Sequence, residues 1–199
     1  MSFSESFIKE SIEILETIDT ASIERCVKGL AIVRSQGGRL FILGVGGSAG
    51  HASHAVNDFR KICGFEAYTP TDNVSELTAR ANDEGWESTF SEWLIGSRLS
   101  SDDALLIFSV GGGDEEKNVS TNIVRAIQLA KERGASIYGV LGRDGGFTQR
   151  NAQACVMIPP LFFDHVTPQT EGLAAVIWHL FVSHPLLAKI PTRWESIGT

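Results

Sequence analysis

Arg39-Leu40-Phe41-Ile42-Leu43-Gly44-Val45-Gly46-Gly47-Ser48 breaks from an apolar run straight into a glycine loop. The apolar part, Arg39 to Val45, reads as a strand buried on both faces, and the helix starting at Ser48 continues to Lys61. A second copy of this design follows Ala104 to Phe108, where the chain runs Ser109-Val110-Gly111-Gly112-Gly113. Glycine lets backbone N–H groups crowd close to an oxyanion, serine adds a hydroxyl donor, and a helix starting just after the loop adds the positive end of its dipole. The two loops therefore outline one anion site beyond the carboxyl ends of neighbouring strands, where an open parallel sheet binds its ligands. Few fixed cations are expected around it.

Working outward, strands and helices alternate. Glu66 to Thr69 and Ala104 to Val110 read as strands, with helical stretches over Val74 to Ala81 and Trp86 to Leu99 between them. A helix from Val119 to Arg133 stops at Gly134 with Lys131 and Arg133 in its last turn. Strands at Ser136 to Leu141 and Ala154 to Ile158 flank a short helix near Phe147 to Asn151, and a long helix runs from about Pro168 to Phe181. Right-handed crossovers make this an α/β fold, a three-layer, doubly wound, five-stranded parallel sheet in the flavodoxin-like order 2-1-3-4-5. Ile8, Ile12 and Leu15, then Ile23, Val27 and Leu30, recur at helical spacing, so residues 1–36 read as a helical pair broken at Asp19-Thr20. Its apolar stripes must cover either the sheet's own layer or the same helices in another subunit. The chain is expected to be one domain, with helices over 1–36, an α/β core over 37–190 and a tail over 191–199 in which Trp194 packs on this or a neighbouring subunit.

At 199 residues and 43% hydrophobic composition, the chain can bury one sizeable core. A formal net charge of −7 without a long basic run argues against extended contact with nucleic acid. No apolar run is long enough to cross a membrane and no secretory signal is visible, so a cytoplasmic protein is expected. Cys26, Cys63 and Cys155 are odd in number and far apart, which fits packing thiols and neither a disulfide framework nor a cysteine zinc site.

Gly44, Gly46 and Ala49 formally satisfy the dinucleotide fingerprint G-x-G-x-x-A. That reading wants an acidic residue ending the second strand, whereas Glu66 falls at its start, so no nucleotide cofactor is expected. Chemistry gathers elsewhere. His51, His54 and Asp58 share one face of the helix that follows the first loop, and His54 with Asp58 suits a metal or a proton-transfer site. On the last helix Glu171 and His179 stand among apolar residues. Eight residues separate them, roughly 12 Å of helix, so both reach one metal only by stretching from opposite sides, or they serve different positions or subunits. Asn82-Asp83-Glu84-Gly85 reads as a loop before the Trp86 helix, and His184 before Pro185 as a helix end.

In order, Gly-x-Gly-Gly-Ser, Ala-Asn-Asp-x-Gly, Ser-x-x-Gly, Gly-Arg-Asp-Gly-Gly and a histidine on the final helix resemble the sugar isomerase (SIS) domain, and more narrowly its phosphoheptose isomerase group. The resemblance implies a homotetramer with sites at subunit interfaces that converts sedoheptulose 7-phosphate to D-glycero-D-manno-heptose 7-phosphate for lipopolysaccharide or capsule. It implies phosphate and substrate contacts from Gly46, Gly47, Ser48, Asn82, Asp83, Ser109, Gly111, Gly112, Ser120 and Glu171. It further implies Asp58 and His179 as the catalytic proton-transfer pair, and zinc on His54, Asp58, Glu171 and His179. This chain departs from the family at Val45, where asparagine is usual, at Asp58 for glutamate and at Glu171 for glutamine, and its Gly113 to Asn118 loop is longer and more acidic. Those departures make an isomerase of another phosphosugar a real alternative. A non-catalytic SIS module, either a phosphosugar sensor or a binder of a replication initiator, is the other.

Overall fold

A computed structural model describes residues 1–197. Two helices, α1 (Phe3–Thr17) and α2 (Thr20–Ser35), precede β1 (Leu40–Leu43) and α3 (Gly47–Lys61). Then come β2 (Ala67–Tyr68), α4 (Val74–Asp83), α5 (Thr89–Gly96), β3 (Ala104–Ser109) and α6 (Thr121–Arg133). The chain finishes with β4 (Ser136–Leu141), α7 (Gly146–Asn151), β5 (Ala154–Met157), α8 (Val166–Ser183) and a short α9 (Arg193–Ser196). The five strands pair in parallel in the order β2-β1-β3-β4-β5, as the alternation of apolar runs and helices predicts.

Every residue of β1 and β3 is buried, and alternate side chains enter opposite layers. Leu40, Ile42, Leu106 and Phe108 pack beneath α2, α3 and α8, while Phe41, Leu43, Leu105 and Ile107 pack beneath α5 and α6. The helix that follows β1 thus covers one face and the helix that follows β3 covers the other. The crevice between the ends of β1 and β3 is the topological switch point, and both glycine loops open onto it.

The helical pair splits its two stripes. Ile23, Val27 and Leu30 of α2 are buried in the core beside α8. Ile8, Ile12 and Leu15 of α1 face outward, 60%, 51% and 39% exposed. The inner face of α1 is more polar: Ser11 Oγ donates to Gln169 Oε1 at 2.8 Å, and Glu10 meets His165 Nδ1 at 2.7 Å. The capping box of Ser2 with Glu5, and Asp19 accepting from Ala21 N–H, set the two helix starts.

Several element boundaries differ from expectation, and three of them bear on the expected site. The first strand is confined to Leu40–Leu43, because Gly44 already belongs to the turn. The helix expected from Val119 starts at Thr121, because Asp114 and Val119 pair in an antiparallel bridge that closes the 113–120 segment into a small hairpin. Asn82 and Asp83 are the last residues of α4, not a loop, and neither caps the Trp86 turn. All three cysteines are free and buried, and burial pushes each thiol up to about 12. The expected packing of Trp194 concerns a side chain outside the described residues. No described helix is long and apolar enough to cross a membrane.

Candidate active site

The first loop turns at Gly46, whose φ of 62° and ψ of −127° exclude an ordinary side chain, and delivers the chain into α3 without a side-chain cap. The amide end of α3 is therefore open to an anion. Glu171 of α8 reaches it: a Cβ on Gly47 would fall 2.6 Å from Glu171 Oε1. A carboxylate at a helix amino end is favoured by the dipole, so this glutamate and this glycine fit one another. Ser48 sits in the same turn, buried.

The second loop is held from behind. Thr148 N–H and Oγ1 donate to Gly112 O at 2.9 and 2.7 Å, and Phe147 N–H donates to Gly113 O at 2.8 Å. Ser109 Oγ accepts from Gly112 N–H at 2.9 Å, which leaves its own hydroxyl proton to donate. Ser120 precedes α6 in a left-handed conformation and makes no side-chain cap, and the N–H groups of Thr121 and Asn122 have no acceptor among the described residues. Next to it Asn122 is fully buried, its Oδ1 on Ile123 N–H and its Nδ2 without a partner among the described residues.

On the flank of α3 the structure brings His54, Asp58 and His179 together, with one ligand atom of each within 4.8 Å of the others. Asp58 Oδ2 stands 3.7 Å from His54 Nε2 and 3.9 Å from His179 Nε2, beyond hydrogen-bond length and close enough for one ion to bridge them. His179 Nδ1 donates to Ala175 O at 2.7 Å, which fixes the tautomer and leaves Nε2 with its lone pair toward Asp58. Asn57 Nδ2 donates to Asp58 Oδ1 at 2.8 Å. Trp178 is the buried floor, with His179 stacked on it at 3.5 Å and His54 edge-on at 4.7 Å.

Among the expected site residues, Glu171 stands apart from the histidine–aspartate triad and belongs to the first loop. Asn82 and Asp83 are exposed and bonded to one another, and they line neither cavity beside the second loop. His51, on the same helix, is outside the triad, and His184 meets Glu24 at 3.3 Å. The expectation of few fixed cations is incomplete. A cavity of about 620 Å³ next to Gly111 and Gly113 is also lined by Lys117, Arg143 and Arg150. Arg143 lies within the Gly-Arg-Asp-Gly-Gly signature, where attention to glycines hid the cation beside them.

A parallel sheet with glycine loops at its switch point and an acid–base cluster on the first crossover helix is the layout of a phosphosugar-handling domain. Residues 6–142 match the SIS domain, and the chain belongs to that family, within its phosphoheptose isomerase group. It is 31% identical over 183 residues to the phosphoheptose isomerase of Nitratiruptor sp., covering 89% of each chain. It is 35% identical over 159 residues to the lincomycin biosynthesis protein LmbN of Streptomyces lincolnensis, covering 74% of this chain and just over half of that one, 56%. The fold is shared with phosphoheptose isomerase GmhA from Neisseria gonorrhoeae, with a TM-score of 0.78 at 23% identity over 90% of this chain and 95% of that one.

Proposed function

We propose that this protein is an aldose–ketose isomerase that converts sedoheptulose 7-phosphate to D-glycero-D-manno-heptose 7-phosphate. The observation that carries the reading is the convergence of Asp58 and His179, with His179 held in the tautomer that presents a basic nitrogen to the carboxylate. A scaffold or sensor has no use for such a pair on the helix that springs from an anion cradle. Membership of the phosphoheptose isomerase group supports the substrate.

The reaction moves one proton from C1 to C2 and one from O1 to O2. Asp58 or His179 removes a C1 proton of the ketose, the C1–H electron pair forms the C1–C2 double bond of an enediol as the C2 carbonyl oxygen takes a proton, and the enediol then loses its O1 proton to form the C1 carbonyl as a proton is returned at C2. Atoms balance within the sugar. The glycine loops with Ser48, Ser109 and Ser120 hold the phosphate, and that binding energy positions the reacting carbons.

His54, Asp58 and His179 offer two imidazoles and one carboxylate, a donor set that suits zinc with one position left open. Held by these residues, zinc would supply a Lewis acid for the substrate's carbonyl oxygen. Glu171 belongs to that ligand set only if a second copy supplies it, since its own helix carries it to the first loop.

Assembly follows from distance. Asp58 lies eleven residues along α3 from Gly47, about 16 Å, while a seven-carbon sugar phosphate spans roughly 10 Å along its skeleton. A phosphate on one chain's loops is therefore served by a neighbouring copy's triad, in a homo-oligomer, by family resemblance a tetramer. The outward stripe of Ile8, Ile12 and Leu15 is a surface fit for that contact.

Incubating the purified protein with sedoheptulose 7-phosphate and following aldose formation tests the reading. Asp58→Asn and His179→Ala are expected to lower kcat by about a hundredfold or more, and chelation is expected to lower activity in a manner zinc restores. An inactive wild type, with and without zinc, removes the assignment. A different phosphosugar is the second reading, favoured by the Glu171 carboxylate at the first loop and by Val45, and a panel of ketose and aldose phosphates in the same assay separates the two.

A further inference from the structure

With glycine at 111, 112 and 113, the second loop offers an anion main-chain N–H groups and the single hydroxyl of Ser109, and the Gly112 N–H is already bonded to that serine. The loop's back is locked to the start of α7 by the bonds from Phe147 and Thr148. That lock also fixes the turn between β4 and α7 relative to the loop, and Arg143 sits on that turn in a left-handed conformation with φ of 49°. Its stem passes over the loop: a Cβ on Gly111 would meet Arg143 Cδ at 3.8 Å. Gly111, Gly113 and Arg143 line one cavity of about 620 Å³, a size that suits a phosphosugar.

The three cations of this cavity are not equivalent. Lys117 Nζ is 3.1 Å from Asp114 Oδ2, and the Arg150 guanidinium lies 5.9 Å from the Phe147 ring. Arg143 is exposed and makes no ion pair or hydrogen bond among the described residues. The carboxylates beside it, Asp144 and Asp164, do not consume it, and Asp144 Oδ1 accepts from Gly146 N–H. A guanidinium with all its donors free, beside a run of three glycines that carry no side-chain donor, is suited to bidentate contact with a phosphate.

We infer that Arg143 is a phosphate-binding residue of this site, supplying the side-chain donors that the glycines of the second loop cannot. The inference rests on the reading of the protein as a phosphosugar isomerase. Steady-state kinetics of Arg143→Gln with sedoheptulose 7-phosphate should show KM raised about tenfold or more with kcat within about threefold, the pattern of lost binding shared by ground and transition states. Arg143→Lys should recover part of that loss, because an ammonium keeps the charge without the planar fork. Raising ionic strength should increase KM more steeply for the wild type than for Arg143→Gln. Thermal stabilisation by inorganic phosphate should fall in the same variant, which reads binding without turnover. Unchanged KM and unchanged phosphate stabilisation in Arg143→Gln overturn the inference, as does a loss confined to kcat. A wild type that isomerises nothing yet is stabilised by inorganic phosphate through Arg143 removes the isomerase reading and keeps the phosphate contact.

Discussion

Asp103 ties the amino ends of the two central strands together, and its behaviour follows from one carboxylate's surroundings. The side chain is 3% exposed, and its oxygens accept from Arg39 Nε and Arg39 N–H at 3.1 and 3.0 Å, from Arg39 Nη2 at 2.8 Å and from Ser100 N–H and Oγ at 2.9 and 3.0 Å. Burial alone would raise its pKa, but the hydrogen bonds from Arg39 and Ser100 outweigh it and hold the carboxyl below its ordinary value of 3.8. A group depressed in the folded state adds stability above its unfolded pKa and loses it as pH falls through the folded value. Urea unfolding should therefore show the wild type losing more stability than Asp103→Asn when pH is lowered from 7 to below about 4. At neutral pH Asp103→Ala should cost about 3–5 kcal/mol, because it leaves the half-buried Arg39 guanidinium without its anion. Equal acid sensitivity of wild type and Asp103→Asn would show that this carboxylate does not contribute the depressed pKa.

The start of α3 is where two neighbouring glycines serve different ends. Gly46 holds a backbone conformation that strains any other residue, so Gly46→Ala should destabilise the fold by about 1–3 kcal/mol in thermal or urea unfolding. Gly47 is helical, and alanine there improves helix propensity by roughly 0.5–1 kcal/mol, but its methyl would displace the Glu171 carboxylate. Gly47→Ala should thus keep stability within about 1 kcal/mol while lowering kcat/KM, and in a Glu171→Ala background it should lower kcat/KM no further. Additive losses in that double-mutant cycle would mean that Gly47 acts independently of Glu171. The glycine loop itself was legible in the sequence, because an apolar run ending in Gly-x-Gly-Gly-Ser has few structural meanings. The partnership of Gly47 with Glu171 was not, since it depends on how α8 crosses the amino end of α3, 124 residues later in the chain. Periodicity likewise marks Ile8, Ile12 and Leu15 as one stripe but cannot say which way it faces, because α1 is held by polar contacts, Ser11 Oγ and the Phe7 carbonyl on Gln169 of α8 and Glu10 on His165 just before it, that apolar periodicity does not register. The place of Arg143 is illegible for a related reason: a turn rich in glycine reads as backbone chemistry, and only the folded cavity sets the cation beside the second loop.

At the scale of the whole molecule, cradle and triad lie at different places along α3, and on the proposed reading catalysis is then a property of an assembly. Each isoleucine of the α1 stripe that is buried on association contributes roughly 1.5–3 kcal/mol, so a charge placed there removes that gain and adds a desolvation penalty. Ile8→Glu with Ile12→Glu should leave the monomer folded, because both side chains are already exposed, and should lower the mass measured by light scattering. Activity should fall with the mass even though no loop or triad residue has changed. A sharper outcome comes from mixing two inactive proteins. Asp58→Asn keeps an intact cradle and lacks the triad carboxylate, while Ser109→Ala with Arg143→Gln keeps the triad and lacks side-chain donors at the cradle. If one copy's triad serves its neighbour's cradle, unfolding and refolding the two variants together produces interfaces that pair an intact cradle with an intact triad, and activity returns. If each chain completed its own site, no mixed interface could do so, and the refolded mixture would stay as inactive as its parts.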